Sequence, residues 1–141
     1  ENYSITDGMP PEVNLLNEKN NGQNVLKLIQ DDLVESSHDV SNGGLIVALS
    51  EMAISSNYGV KIQKPKKLSN LYEYFFGEDQ GRYVLEIDPN NLGKVVKRLK
   101  DNNIYYENIG IVQKDYFEIE DELKINVKSL YELNNEWYNT Y

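Results

Sequence analysis

The chain has 141 residues, 40% hydrophobic and 26% charged, with 14 Lys plus Arg against 23 Asp plus Glu and a formal net charge of −9. That fits one domain with a single core, and it argues against wholesale disorder and against nucleic acid as a partner, which would need a basic face. The absence of cysteine excludes disulfides and thiolate chemistry, and a lone histidine, His38, excludes a multi-His metal site within the chain.

No apolar run approaches the roughly 20 residues that span a bilayer, so no membrane is expected and a cytoplasmic location is the default. The chain begins at Glu1 rather than Met, which reads as an excised or processed piece of a longer polypeptide. Residues 1–21 read as an irregular linker: Gly8-Met9-Pro10-Pro11 breaks the chain, and a polar stretch ends in Asn20-Asn21-Gly22. The domain is placed at 22–141.

The spacing of Val25, Leu26, Ile29, Leu33 and Val34 predicts an amphipathic helix over 23–36. Residues 38–44 carry turn chemistry, and 45–57 form a strong helix with Leu45, Leu49, Met52 and Ala53 on one side. A strand follows at 58–63, then a solvated connection through Lys64, Pro65 and Lys67, then a helix at 68–76 with Leu71, Tyr74 and Phe75 inward. Residues 82–87 alternate as a strand. Pro89 suits the first turn of a helix running to about residue 102. Strands are expected at 105–112, 116–119 and 123–127, and a terminal helix from Ser129 with Leu130, Leu133 and Trp137 on one face. Tyr105, Tyr106, Tyr116 and Phe117 are expected in core and edge packing. Tyr131, Trp137, Tyr138 and Tyr141 fit either packing or a docking face for a missing domain. The fold class is α/β (α+β): three layers, α/β/α, with helices on both faces of a mixed sheet and a partial likeness to a ferredoxin-like arrangement.

Two segments can carry chemistry. In HDVSNGGL, residues 38–45, two glycines at the mouth of a helix let a ligand approach the backbone, and the free N–H groups of the first helical turn favour an anion. Asp39, Ser41 and Asn42 add side-chain donors and acceptors. The same residues also fit a plain capped helix start, with Ser41 or Asn42 as the cap. In FFGEDQGRY, residues 75–83, Arg82 can meet a phosphate or carboxylate, Gln80 can donate and accept, and Glu78 can act as a base or as an oxygen ligand to Mg²⁺. An exposed acidic turn with Arg82 paired to its neighbours fits equally.

HDVSNGGL, followed by a helix reading LIVALSEMA and then by FGEDQGRY, resembles the C-terminal domain of the large (synthetase) component of phosphoribosylformylglycinamidine synthase. That family belongs to the aminoimidazole ribonucleotide synthetase superfamily. The likeness runs from about residue 8 to the terminal SLYELNNEWYNTY. It implies the C-terminal-type fold of that superfamily and a role in an ATP-dependent carbon–nitrogen ligase of de novo purine biosynthesis. Such a ligase converts formylglycinamide ribonucleotide, ATP and glutamine-derived ammonia into formylglycinamidine ribonucleotide, ADP, phosphate and glutamate. ATP activates the amide oxygen, ammonia displaces the phosphate, and Mg²⁺ neutralises polyphosphate charge.

The resemblance further implies three partners: the preceding domains of the same polypeptide, a glutaminase subunit or domain, and a small bridging subunit. It implies no catalytic residue in this chain, since the catalytic histidines, most metal carboxylates and most ATP contacts lie in domains absent from it. Asp39, Ser41, Gly43, Gly44, Gln80 and Arg82 are carried over as ligand- or phosphate-binding candidates, and Glu78 as a metal candidate. Asn42 stands where the family usually has Asp, which removes one carboxylate. The two segments are expected to face one cleft finished by other domains, and the isolated chain is expected to be inactive. Two alternatives stay open. One is the matching domain of aminoimidazole ribonucleotide synthetase, selenophosphate synthetase or thiamine phosphate kinase. The other is a regulatory module that binds a nucleotide or the glutaminase without chemistry.

Overall fold

A computed structural model describes residues 12–65 and 70–139, the last three of these by backbone alone. The elements in chain order are α1 (Leu15–Gln30), β1 (Ser36–Asp39), α2 (Gly44–Ser56), β2 (Gly59–Ile62), α3 (Leu71–Phe76), β3 (Tyr83–Glu86), α4 (Pro89–Asp101), β4 (Gly110–Gln113), β5 (Tyr116–Ile119), β6 (Leu123–Asn126) and α5 (Val127–Asn139). The break at 8–11, Lys66 and Lys67, the start of the helix expected from 68, and the side chains from Trp137 onward lie outside the described residues.

Helix α1 starts earlier than its apolar spacing predicts. Asn14 caps it, its side chain accepting from the Asn17 amide at 3.0 Å, so the helix reaches back into residues expected to be irregular linker. A domain boundary at residue 22 therefore falls inside α1. Its buried line is Asn24 and Leu28, while Leu26 and Ile29 are 53% and 46% exposed. A polar residue sits on the buried side because the Asn24 amide group donates to Asn20 O one turn back, at 2.9 Å. The helix ends at Gln30, and Asp32 with φ 56° turns the chain, so Leu33 reaches the core from outside the helix.

The polar run Ser36–Asp39 is a strand, where turn chemistry was expected from residue 38. It pairs antiparallel with β3, and Ser36 Oγ donates to Glu86 Oε2 at 2.7 Å. The other strands form a mixed sheet in the order β4-β2-β5-β6, with β2 and β5 parallel and the outer pairs antiparallel.

Two apolar clusters follow. Helix α2 buries Leu45, Ala48, Leu49 and Ala53 with Ile62, Phe117 and Ile119 of the larger sheet, and with Val40, Phe75 and Val84. Leu28 and Leu33 meet Val95 and Leu99 of α4, with Leu85 against them. Val84 and Leu85 point to opposite sides of one strand, so the β1–β3 ribbon has helices on both sides and is the middle of three layers. The larger sheet turns only one face inward. Its other face carries Glu118 between Lys61 at 3.2 Å and Lys124 at 3.0 Å, a charged row that needs water.

The mixed α/β fold thus agrees with the sequence reading. The division into a two-stranded and a four-stranded sheet was not foreseen. The expected strand at 105–112 begins only at Gly110, because Glu107 ties the preceding loop down: Tyr74 donates to it at 3.0 Å, and Tyr105 donates to its other oxygen. Tyr105 is therefore 82% exposed rather than packed. Among the described residues no helix is long and apolar enough to cross a membrane.

Candidate functional site

The pairing of β1 with β3 sets Asp39 opposite Tyr83, and the Val40 amide then donates to Arg82 O at 2.9 Å. Residues 39–42 and 77–82 therefore leave the ribbon at the same end and face each other. Between them lies a cleft of about 540 Å³. Asp39, Ser41, Asn42, Glu78, Gln80 and Arg82 all line it. The convergence of the two segments is a consequence of strand register.

The two glycines serve otherwise than a phosphate cradle would require. Gly43 (φ 80°) and Gly44 (φ 72°) are both left-handed and turn the chain sharply into α2. Gly44 is buried, and a Cβ there would sit 2.7 Å from Phe75 O. Its task is to let the end of α3 pack against the start of α2, and it does not line the cleft. Two N–H groups at this helix start are also already taken within the chain. The Gly43 amide donates to Glu78 Oε1 at 2.7 Å, and the Gly44 amide to Ser41 O at 3.0 Å. A carboxylate from the chain itself thus already takes one amide at the positive end of the helix.

Glu78 is thus a cap on α2. Among the described residues no group of three His, Cys, Asp or Glu side chains is placed to hold a metal ion. Arg82 donates through one guanidinium nitrogen to Asp79 Oδ2 at 3.2 Å and to Gly77 O at 3.3 Å, which closes its own turn. Its side chain, 29% exposed, still forms part of the cleft lining. His38 does not line the cleft. Its Nε2 lies 3.1 Å from Glu51 of α2 and its Nδ1 2.6 Å from Asp39 O. Burial, and then the Glu107 carboxylate, push the nearby Tyr74 hydroxyl well above the ordinary tyrosine range.

Sequence reasoning missed Glu18, Phe76, Gly81 and Tyr83, which also line the cleft. Glu18 arrives because α1 lies across the 77–82 turn. Asn21 donates to Gly81 O at 2.9 Å, and a Cβ on Gly81 (φ 69°) would come within 3.1 Å of Glu18 Cα. The signal was present: with Asn14 as a helix cap, Glu18, Asn21 and Gly22 share one face at i, i+3, i+4 spacing. Three lining carboxylates, Glu18, Asp39 and Glu78, face one lining guanidinium. Such a wall suits a ligand rich in hydroxyl and amide groups better than a bare anion. No lining side chains form a nucleophile–base pair around His38.

Residues 2–121 match the family described as AIR synthase related protein, C-terminal domain. Over 135 residues the chain is 43% identical to the phosphoribosylformylglycinamidine synthase subunit PurL of Pelagibacter ubique, covering 96% of this chain and 18% of that protein. It is 38% identical over 138 residues to the protein of the same name from Bartonella bacilliformis, with the same two coverages. Among solved structures, that of PurLQS from Thermotoga maritima matches with a TM-score of 0.70 and 19% identity, over 81% of this chain and 21% of that chain. T. maritima PurL complexed with FGAR matches with a TM-score of 0.69 and 18% identity, over 81% and 21%. At such identity these structures show a common fold. The chain spans 18% of the length of the two curated relatives.

Proposed function

Because the chain belongs to the family of AIR synthase related protein C-terminal domains, we propose that it is the C-terminal domain of the large subunit of phosphoribosylformylglycinamidine synthase. The observation that carries this reading is the identity with PurL subunits along nearly the whole chain, beside a much lower coverage of those subunits. In this reading the chain serves an ATP-dependent carbon–nitrogen ligase that makes formylglycinamidine ribonucleotide with glutamine as amide donor. ATP and Mg²⁺ belong to the full enzyme. The donor set in this cleft, with Glu78 committed to α2 and no group of three metal-ligating side chains among the described residues, does not fit a Mg²⁺ site of its own. The partners are the preceding domains, a glutaminase and a small bridging subunit, in keeping with the T. maritima PurLQS assembly, and the location is cytoplasmic.

The chain's own residues then build one wall of a composite cleft. Ser41, Gln80 and Arg82 offer hydrogen bonds to whatever enters, while the Glu78–Gly43 bond fixes the spacing of the two loops. A wall without its counterparts is poorly preorganised, so isolated binding is weak. The test is a chimera of the Pelagibacter ubique subunit in which this chain replaces the matching segment. Assayed with glutaminase partner, ATP, glutamine and formylglycinamide ribonucleotide, the chimera turns over and the 141-residue chain alone does not. Turnover by the chain alone would sink the reading, as would a folded chimera that is inert.

A further inference from the structure

Asparagine followed by glycine deamidates readily, because no Cβ obstructs attack of the glycine amide nitrogen on the asparagine side chain. The pair occurs twice in the chain, at Asn21-Gly22 and Asn42-Gly43, and the fold treats the two oppositely. Asn21 and Gly22 lie inside α1. There the Gly22 amide belongs to the helical ladder, and Asn21 Nδ2 is tied to Gly81 O at 2.9 Å. A helical backbone also denies the asparagine the twist that brings its Cγ onto the next nitrogen. Asn42 and Gly43 lie in the turn before α2, outside helix and strand. Asn42 is exposed and lines the cleft, and among the described residues no hydrogen bond holds its side chain. One restraint remains, the 2.7 Å bond from the Gly43 amide to Glu78 Oε1.

We propose that Asn42 is a modification site of the cleft, converted through a succinimide to aspartate and isoaspartate, and that Glu78 sets the rate. Gly43 N attacks Asn42 Cγ. The N–Cγ bond forms, the Cγ–Nδ2 bond breaks, and the Gly43 amide proton leaves with Nδ2 as ammonia. Solvent water then opens the ring at either carbonyl. While Glu78 holds the Gly43 N–H, the nitrogen is fixed in its turn, so the reaction runs through molecules in which that bond is open. The product adds a fourth carboxylate to a wall that already carries Glu18, Asp39 and Glu78 against Arg82. The isoaspartyl route also lengthens the main chain by one methylene where Gly43 and Gly44 turn it into α2.

The experiment incubates the 141-residue chain at neutral pH and follows both asparagines by peptide mapping and mass spectrometry. It does so for folded wild type, for wild type unfolded in guanidinium chloride, and for Glu78→Ala. Asn21 is the internal control, since global unfolding frees both sites. In the folded chain Asn42 should convert at least about tenfold faster than Asn21, because the helical site reacts only when α1 opens. In the unfolded chain the two should convert alike. Glu78→Ala should speed Asn42 by about fivefold or more, the weight of one hydrogen bond to a charged acceptor, and leave Asn21 unchanged. Equal rates at the two sites in the native buffer overturn the proposal, as does an Asn42 that stays intact there while the unfolded chain reacts. A Glu78→Ala protein in which Asn42 keeps its wild-type rate, or in which both sites speed up together, overturns the control by Glu78.

Discussion

The carboxylate of Glu78 accepts a 2.7 Å hydrogen bond from the amide of Gly43, 35 positions earlier in the chain. This bond joins the start of α2 to the turn after α3 and spans the floor between the two cleft loops. Removing it leaves the Gly43 amide without its carboxylate cap and takes one tie from a turn still held by Arg82 and by the Asn21 bond to Gly81 O. Glu78→Ala is expected to lower stability by about 1 kcal/mol, as loss of a helix cap does. Glu78→Gln should recover part of that, since an amide oxygen can accept but lacks the charge. Urea unfolding of the three proteins checks this, and the idea fails if Ala and Gln variants both match wild type.

Gly44 looks like a ligand-facing glycine in the sequence and is a packing glycine in the fold. A side chain there meets Phe75 O at 2.7 Å and demands φ 72°. Gly44→Val should therefore cost at least about 2 kcal/mol through strain alone, with overlap against α3 adding to it. Any loss of ligand binding in that variant would accompany a fall in melting temperature. A Gly44→Val protein that melts like wild type would contradict this role.

Gly93 gives the opposite expectation. It lies in the middle of α4, and a Cβ there meets nothing within 4 Å. With a helical backbone and open space, Gly93→Ala should stabilise by about 0.5–1 kcal/mol by restricting the unfolded chain. Denaturant midpoints measure it, and a destabilised Ala variant would mean that α4 depends on flexibility at this point.

These contrasts show what was legible in the sequence. Elements with apolar cores announced themselves: α2 through Leu45, Leu49 and Ala53, β5 through Phe117 and Ile119, α4 through Pro89. Strand β1 did not, because Ser36, Ser37, His38 and Asp39 carry no apolar alternation and are strand only by pairing with β3. The first half of α1 was hidden for a related reason. Its Asn and Gly residues have low helix propensity, its aliphatics Leu15 and Leu16 face outward, and its cap is a single Asn. The two cleft segments were recognisable as a pair, but their internal bonding was not. Glu78 and Gly43 each read as facing a ligand, and only the register of Asp39 against Tyr83 brings them near enough to face each other.

Glu118 offers a test of the open face of the larger sheet. Hydrogen bonds from Lys124, and then from Lys61, hold its carboxyl below the ordinary value of 4.5. A group whose pKa is lower in the folded than in the unfolded chain stabilises the fold when ionised. Its contribution is therefore complete above pH 4.5 and is lost as pH falls through the lower folded value. Glu118→Gln should be less stable than wild type near neutrality, where Lys61 and Lys124 lose the charge between them. As pH drops below about 4.5 the wild-type carboxyl gains its proton and the two proteins should converge. Stability measured from about pH 7 down to about pH 3 decides the matter. A constant gap across that range would mean that the charged row adds nothing beyond its hydrogen bonds, and that the open face of the sheet is held by backbone pairing and the buried Phe117 side alone.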